Sequence, residues 1–198
     1  MNLLHCSRRD MLMLLTACAA PLSRAADSMP SASIYQLDVP LTDQNGRPFR
    51  LADLRGELVL ASMFYSSCEM VCPMLFETIH LTLDQAGAAA RRRIRVLMVS
   101  FDPQRDTVPQ LKKTAALHHA DERWTLARPD DSGARKIAAA LGVQYRRLAS
   151  GEFNHSSTIL LLDPQGRIDA RSGVLGRVDP ALLASTNRLL AAPAIRRS

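Results

Sequence analysis

Two cysteines four residues apart, Cys68 and Cys72, are the side chains of this 198-residue sequence best suited to chemistry. They stand in Cys68-Glu69-Met70-Val71-Cys72-Pro73, directly after an apolar run and at the start of a stretch with helical spacing. On a helix, positions i and i+4 lie one above the other, so the spacing predicts two sulfurs on one face. Their Cα atoms would then be ~6 Å apart, which a disulfide tolerates and which also lets two thiolates grip one ion. Unpaired amides and the dipole at a helix N-terminus favour thiolate over thiol, as redox attack and metal binding both require. Glu69 acts against this, because a neighbouring carboxylate raises a thiol pKa. Pro73 fits the first helical turn, where its missing N–H is not needed. A bridge closing so short a loop removes very little chain entropy, so a purely structural disulfide explains the pair poorly. The other two of the four cysteines, Cys6 and Cys18, lie near the N-terminus, which excludes a disulfide-stapled scaffold. Redox chemistry and metal binding both remain open on the pair alone.

The elements that must position the pair alternate between strand and helix. Residues 26–33 read as a small-residue linker, 34–39 as a short strand, and Asp43-Gln44-Asn45-Gly46 as a turn with Asn-Gly at its centre. The run 57–65 suits the middle of a sheet, and 73–90 repeats its apolar residues at helical spacing through Leu75, Ile79, Leu83 and Ala86. Further strands are predicted at 94–101, 124–126, 143–147, 158–162 and 167–170, the last entered through the turn Asp163-Pro164-Gln165-Gly166. Helices are predicted at 108–118, 132–141 and 180–190, with Gly142 closing the second of these. This alternation argues for an α/β domain over 34–192, with a central sheet flanked by helices, and a tail at 193–198.

Composition allows such a core: 47 % of the residues are hydrophobic and 22 % charged. The formal charge of +6 overstates the body of the chain, because residues 1–25 contain three arginines and one aspartate. Setting these aside leaves 22 basic against 18 acidic residues, a net +4 spread along the chain. The dense cluster, Arg91 to Arg93 with Arg95, reads as a solvated helix end, with a docking patch for an acidic partner as the rival. Nucleic-acid binding has no motif to support it.

The N-terminus carries an address. Arg8-Arg9 followed by an apolar run over 11–22 resembles a twin-arginine export signal, and the run is shorter than the ~20 residues a transmembrane span needs. Ser23-Arg24-Ala25 offers a peptidase site that would yield a soluble periplasmic protein. Leu15-Thr16-Ala17-Cys18 resembles a lipobox, which would place a lipid on Cys18 and tether the chain to a membrane.

Around the cysteines the resemblance becomes specific. Phe64-Tyr65-Ser66-Ser67-Cys68-Glu69-Met70-Val71-Cys72-Pro73 resembles the Cys-x-x-x-Cys-Pro motif of the Sco/SenC family of copper-binding, thioredoxin-like proteins. The likeness covers roughly residues 36–170. It extends to the lead-in segments 41–46 and 51–56, and to 100–107, which is similar to the family's Asp-Pro-x-Arg-Asp-Thr loop. The family's copper-binding histidine lies in an Asp-His-Ser segment, and Asn154-His155-Ser156 matches it with Asn in place of Asp.

The resemblance implies a thioredoxin-like fold with a mixed sheet, and one copper ion held by Cys68, Cys72 and His155. Two thiolates and an imidazole are a soft set that suits Cu(I). Thioredoxin-like oxidoreductases have a cis-proline before the corresponding strand. Residues 154–158 contain none, so the implied arrangement has a ligand-bearing loop facing the sulfurs instead. The family likeness points to copper delivery to a respiratory oxidase subunit with a dinuclear copper centre, or to a related copper enzyme. A copper donor or thiol reductant would be the other partner. The alternative role is a thiol–disulfide reductase that keeps the acceptor's cysteines reduced, with Cys68 and Cys72 as its redox pair. A peroxidase lacks support, because no Thr-x-x-Cys precedes Cys68.

Other residues carry blander readings. Met70 and Met74 are expected to pack, His118-His119 to face solvent at a helix end, and His80 to flank its helix. Asp102, Arg105 and Asp106 are expected to fix a loop by capping and ion pairing.

Overall fold

Residues 58–64 are apolar but for Ser62 and show no alternation, so a strand built from them must be covered on both faces. In the computed structural model, which describes residues 32–192, they form β3 (Leu58–Phe64), and all seven are buried. β3 pairs in parallel with β4 (Ile94–Ser100) and antiparallel with β8 (Ile159–Leu162). Outside β4 lie β5 (Trp124–Arg128), parallel to it, and then the hairpin of β1 (Pro40–Asp43) and β2 (Pro48–Arg50). β9 (Ile168–Ser172) completes the other edge, giving the seven-stranded mixed order β2-β1-β5-β4-β3-β8-β9.

The parallel pairs require crossovers, and helices supply them. β3 leads to β4 through α1 (Val71–Ala86) and α2 (Ala88–Arg93), and β4 leads to β5 through α3 (Val108–Leu117). α5 (Pro180–Ala191) packs on α1, α2 and β9. α4 (Asp131–Leu141), capped by Asp130 at its start and closed by left-handed Gly142, packs beside a 3₁₀ turn at Ile34–Gln36. The chain is thus a thioredoxin-like α/β fold with a central mixed sheet flanked by helices. No described helix is long and apolar enough to cross a membrane.

Three predicted elements differ in form. Residues 34–39 make no strand. Ser33 Oγ accepts the N–H of Tyr35, and Ile34 N–H donates to Gly166 O at 3.0 Å, so the backbone is captured in the 3₁₀ turn while Ile34, Tyr35 and Val39 enter the core. Gly166 must be glycine for this close approach, because a Cβ there would lie 2.6 Å from the Tyr35 ring. The helix predicted over 73–90 starts earlier and breaks at Gly87, whose φ of +86° divides α1 from α2. Arg91 to Arg93 form the last turn of α2, where Arg91 and Arg92 are exposed, as a solvated helix end should be. The strand predicted over 143–147 is shorter, β6 (Tyr145–Arg147). It leaves the main sheet to pair with β7 (Phe153–His155), a strand not predicted. The export segment 1–25 with Cys18, most of the linker and the tail 193–198 lie outside the described residues.

Candidate metal centre

The cysteines sit where β3 ends, and the helix begins later than their spacing suggests. Cys68 is not helical: it lies in a turn closed by its N–H donating to Tyr65 O at 3.3 Å, and α1 starts only at Val71. Cys72, second residue of α1, is buried, whereas Cys68 is half-buried; both are free thiols. The sulfurs still meet, because the turn folds Cys68 back over the helix start, where its Sγ accepts the Cys72 N–H at 3.3 Å. That contact applies the helix N-terminus to the sulfur through a specific amide.

The turn is fixed from behind. Asp106, 1 % exposed, accepts the Ser66 N–H at 3.2 Å to each oxygen, together with the hydroxyls of Ser66 and Ser100. Asp102 accepts from the Arg105 side chain, which also donates to Gly151 O. This is the loop-fixing role expected for the 102–106 segment.

His155 arrives from the separate ribbon, as the last residue of β7 opposite Tyr145. An aromatic wall holds it: the His155 ring stands edge-on to Tyr65 at 5.8 Å and 5.2 Å from Phe101, and both of those rings also contact Phe153. Tyr65 OH donates to Glu152 at 2.6 Å, tying the ribbon to the end of β3. Nδ1 of His155 is 3.3 Å from Ser156 O and 3.4 Å from Ser157 Oγ, so a proton on Nδ1 leaves the Nε2 lone pair for an ion. Asn154, where the resemblance would have a carboxylate, is exposed. No cis peptide bond occurs among the described residues.

Ligand atoms of Cys68, Cys72 and His155 therefore lie within 4.8 Å of one another, the one group of three or more His, Cys, Asp or Glu side chains that converges this way among the described residues. Two sulfurs and an imidazole nitrogen suit copper, Cu(I) above all. The electrostatics divide the cysteines. Cys68 is pulled down to about 4, chiefly by the hydrogen bond from the Cys72 thiol, with the Cys72 amide, His155 and the Met70 amide adding to it against the opposing effect of burial. Glu69 is exposed and does not reverse this. Cys72 moves the other way, held protonated by its hydrogen bond to Cys68, by burial and by the nearby negative charges of Cys68 and Asp106.

The chain matches the SCO1/SenC family over residues 28–186. It belongs to that family. A SCO1 homologue of Bacillus subtilis is 30 % identical over 141 residues, covering 68 % of this chain and 72 % of the relative. ScoI of Bradyrhizobium japonicum, solved with copper bound, superposes with a TM-score of 0.65 at 25 % identity, over 76 % of this chain and 96 % of its own. A SCO1/SenC lipoprotein from Bacillus anthracis shares the fold, with a TM-score of 0.68 at 22 % identity over 78 % and 95 % of the two chains.

The secondary candidates fall elsewhere. His118 is half-buried rather than fully exposed to solvent: it stacks on Phe76 at 4.1 Å, and burial lowers its pKa. His80 binds His118 O at 2.9 Å and packs on Trp124, while His119 is exposed with a φ of +52°. Met70 and Met74 are not core residues, at 77 % and 42 % exposure. Sequence reasoning missed the functional position of Tyr65, Phe101 and Phe153. Nothing in their spacing shows that three rings from separate segments converge on one histidine.

Proposed function

We propose that this SCO1/SenC protein is a copper carrier, binding one ion through Cys68, Cys72 and His155 and passing it to a respiratory copper enzyme, with the dinuclear copper centre of cytochrome c oxidase as the acceptor. The convergence of the three donors carries this reading. With both sulfurs as thiolates, Cu(I) would leave one net negative charge at the site and Cu(II) none, so either state is electrostatically tolerable. The half-buried Cys68 and His155 leave one side open for transfer to an acceptor's ligands. We further propose that the chain works outside the cytoplasm, as a soluble periplasmic protein or tethered through Cys18.

The opposed shifts of the two cysteines favour one second reading, a thiol–disulfide reductase for the acceptor's copper-binding cysteines. The Cys68 thiolate would attack the target disulfide, forming a mixed disulfide and releasing one target thiolate. Cys72, losing its proton, would then attack Cys68 Sγ, closing Cys68–Cys72 and releasing the second target thiolate. Two electrons pass to the target and this chain is left oxidised. His155 takes no part in that sequence.

Copper titration of the reduced protein against a competing chelator separates the readings. Wild type should bind one equivalent and lose it on oxidation to the disulfide. His155→Ala should weaken retention by at least roughly tenfold while leaving reduction of a model disulfide nearly unchanged. If His155→Ala holds copper as tightly as wild type and supports full oxidase maturation at limiting copper, carriage through this site is wrong and the reductase takes its place.

A further inference from the structure

At the end of β3 remote from Cys68 lies a cavity of about 360 Å³, between the starts of β3 and β4, the 163–166 turn and the end of α5. Four arginines line it, Arg92, Arg93, Arg123 and Arg167, against two acids, Glu57 and Asp163. Both acids are engaged. Asp163 accepts the Gln165 and Arg167 amides at 2.9 Å and Arg167 Nε at 2.6 Å, and Glu57 pairs with Arg95 at 3.5 Å and Arg123 at 3.7 Å. Arg93 donates to Leu190 O at the end of α5. Arg92 is exposed with no ion-pair partner among the described residues, and buried Nη2 of Arg123 has only the 3.7 Å ion pair with Glu57 and no hydrogen bond. The lining therefore carries cations in excess, beside apolar surface from Leu58, Pro164 and Leu189. An anion with an apolar body matches that combination.

The path of the chain selects the source of the anion. Ser33 Oγ donates to Gln165 O and Ile34 N–H to Gly166 O, so the described residues begin on the turn whose Gln165 lines the cavity. Cys18 precedes Ala32 by 14 residues, a reach of at most about 50 Å for extended chain. The seven residues of β3 separate this end from the Cys68 turn, roughly 20 Å.

We propose that this cavity binds the phosphate of an anionic phospholipid headgroup, seating the domain on the membrane with the Cys68–Cys72–His155 end turned away from it. The choice of a lipid source and the orientation rest on the export and tether reading above, whereas the binding of phosphate at the arginines does not.

Flotation of the full chain with phosphatidylglycerol-containing vesicles and with pure phosphatidylcholine vesicles tests this. An apolar leader segment binds both kinds, so the preference for phosphatidylglycerol is the quantity read. Arg92→Ser should lower it roughly fivefold, and Arg92→Ser with Arg167→Ser by a further several-fold; Arg92→Lys should retain it, and copper binding by the reduced variants should be unchanged. The proposal is overturned if wild type shows no preference, or if the double variant keeps it. It is also overturned if inorganic phosphate at low millimolar concentration abolishes the preference at constant ionic strength, which would mark a free-anion site. Failure of Cys18 to become lipidated would remove the orientation and the tether argument for a lipid source, leaving the Arg92-dependent vesicle preference to decide whether lipid phosphate binds.

Discussion

Asp106→Ala measures how much the cysteine turn depends on the carboxylate behind it. That carboxylate accepts the Ser66 amide and two hydroxyls, and Ser66 stands two residues before Cys68. Hydrogen bonds to a charged acceptor contribute about 1.5–3 kcal/mol each. Part of the loss is recovered as water reaches half-buried Ser66 and as the desolvated carboxylate is removed. The expected net cost is about 2–4 kcal/mol for Ala, and about 1–2 kcal/mol for Asn, which keeps the volume and one acceptor. Urea unfolding of the reduced, metal-free protein reads this directly, because the single tryptophan, Trp124, is 2 % exposed in the native state. Copper retention should fall in parallel by roughly tenfold to a hundredfold, as for other groups that orient ligands.

The pH dependence has a defined sign. Burial raises the Asp106 pKa above 3.8, with the Ser100 and Ser66 hydrogen bonds opposing it. The native state therefore binds this proton more readily than the unfolded chain. The associated stability is fully present below 3.8 and is lost as pH rises through the native value. Asn does not titrate, so its deficit against wild type should widen as the pH falls from neutral. A cost for Ala within about 0.5 kcal/mol of zero, with copper retention unchanged, would refute the reasoning and make Asp106 a bystander.

The other predictions concern the cysteines and the N-terminus. Cys68, held down to about 4, should be alkylated by iodoacetamide well into the acidic range while buried, protonated Cys72 is spared; a reactivity midpoint near the ordinary thiol value of 9.0 would contradict the assigned hydrogen bonds. By linkage, Cys68 contributes stability that is full above about 9 and lost as pH falls toward 4. Arg8→Lys with Arg9→Lys should block appearance outside the cytoplasm, and Cys18→Ala should abolish labelling by a palmitate analogue; normal export of the first variant would point to the general secretory route.

What was legible in the sequence follows the range of the interactions that decide it. β3 and β4 could be read from Leu58 to Phe64 and from Ile94 to Ser100 because burial on both faces leaves mostly apolar runs, interrupted only by Ser62, Arg95 and the terminal Ser100. α4 could be read from its apolar spacing and Gly142, both local features. Residues 34–39 could not, since what denies them a strand is a turn more than 120 residues away, at Gly166. The site divides in the same way. The cysteine pair was visible in its spacing, and His155 became a candidate only through family likeness. The helical placement of Cys68 was wrong because a turn before α1 also brings its sulfur to the Cys72 amide, and i,i+4 spacing does not distinguish that turn from a helix. The aromatic wall was hidden because Tyr65, Phe101 and Phe153 come from three segments.

That division would make the two proposed roles, copper carriage and thiol reduction, separable by experiment. Cys68 and Cys72 are held by β3, α1 and the Asp106 contacts, and the hydrogen bond from the Cys72 thiol is the largest cause of the lowered Cys68 pKa, with the Cys72 amide and His155 adding to it. His155 belongs to β6–β7, which pairs with no strand of the main sheet and is held by side-chain contacts: Tyr65 to Glu152, Arg105 to Gly151, and the rings around Phe153. Loss of those contacts would remove the third donor while leaving both thiols and their supporting helix in place. Disulfide exchange would survive such a change and copper retention would not. On the proposed reading the ribbon would therefore separate copper retention from disulfide exchange, and residues 154–158 that continue from it contain no proline.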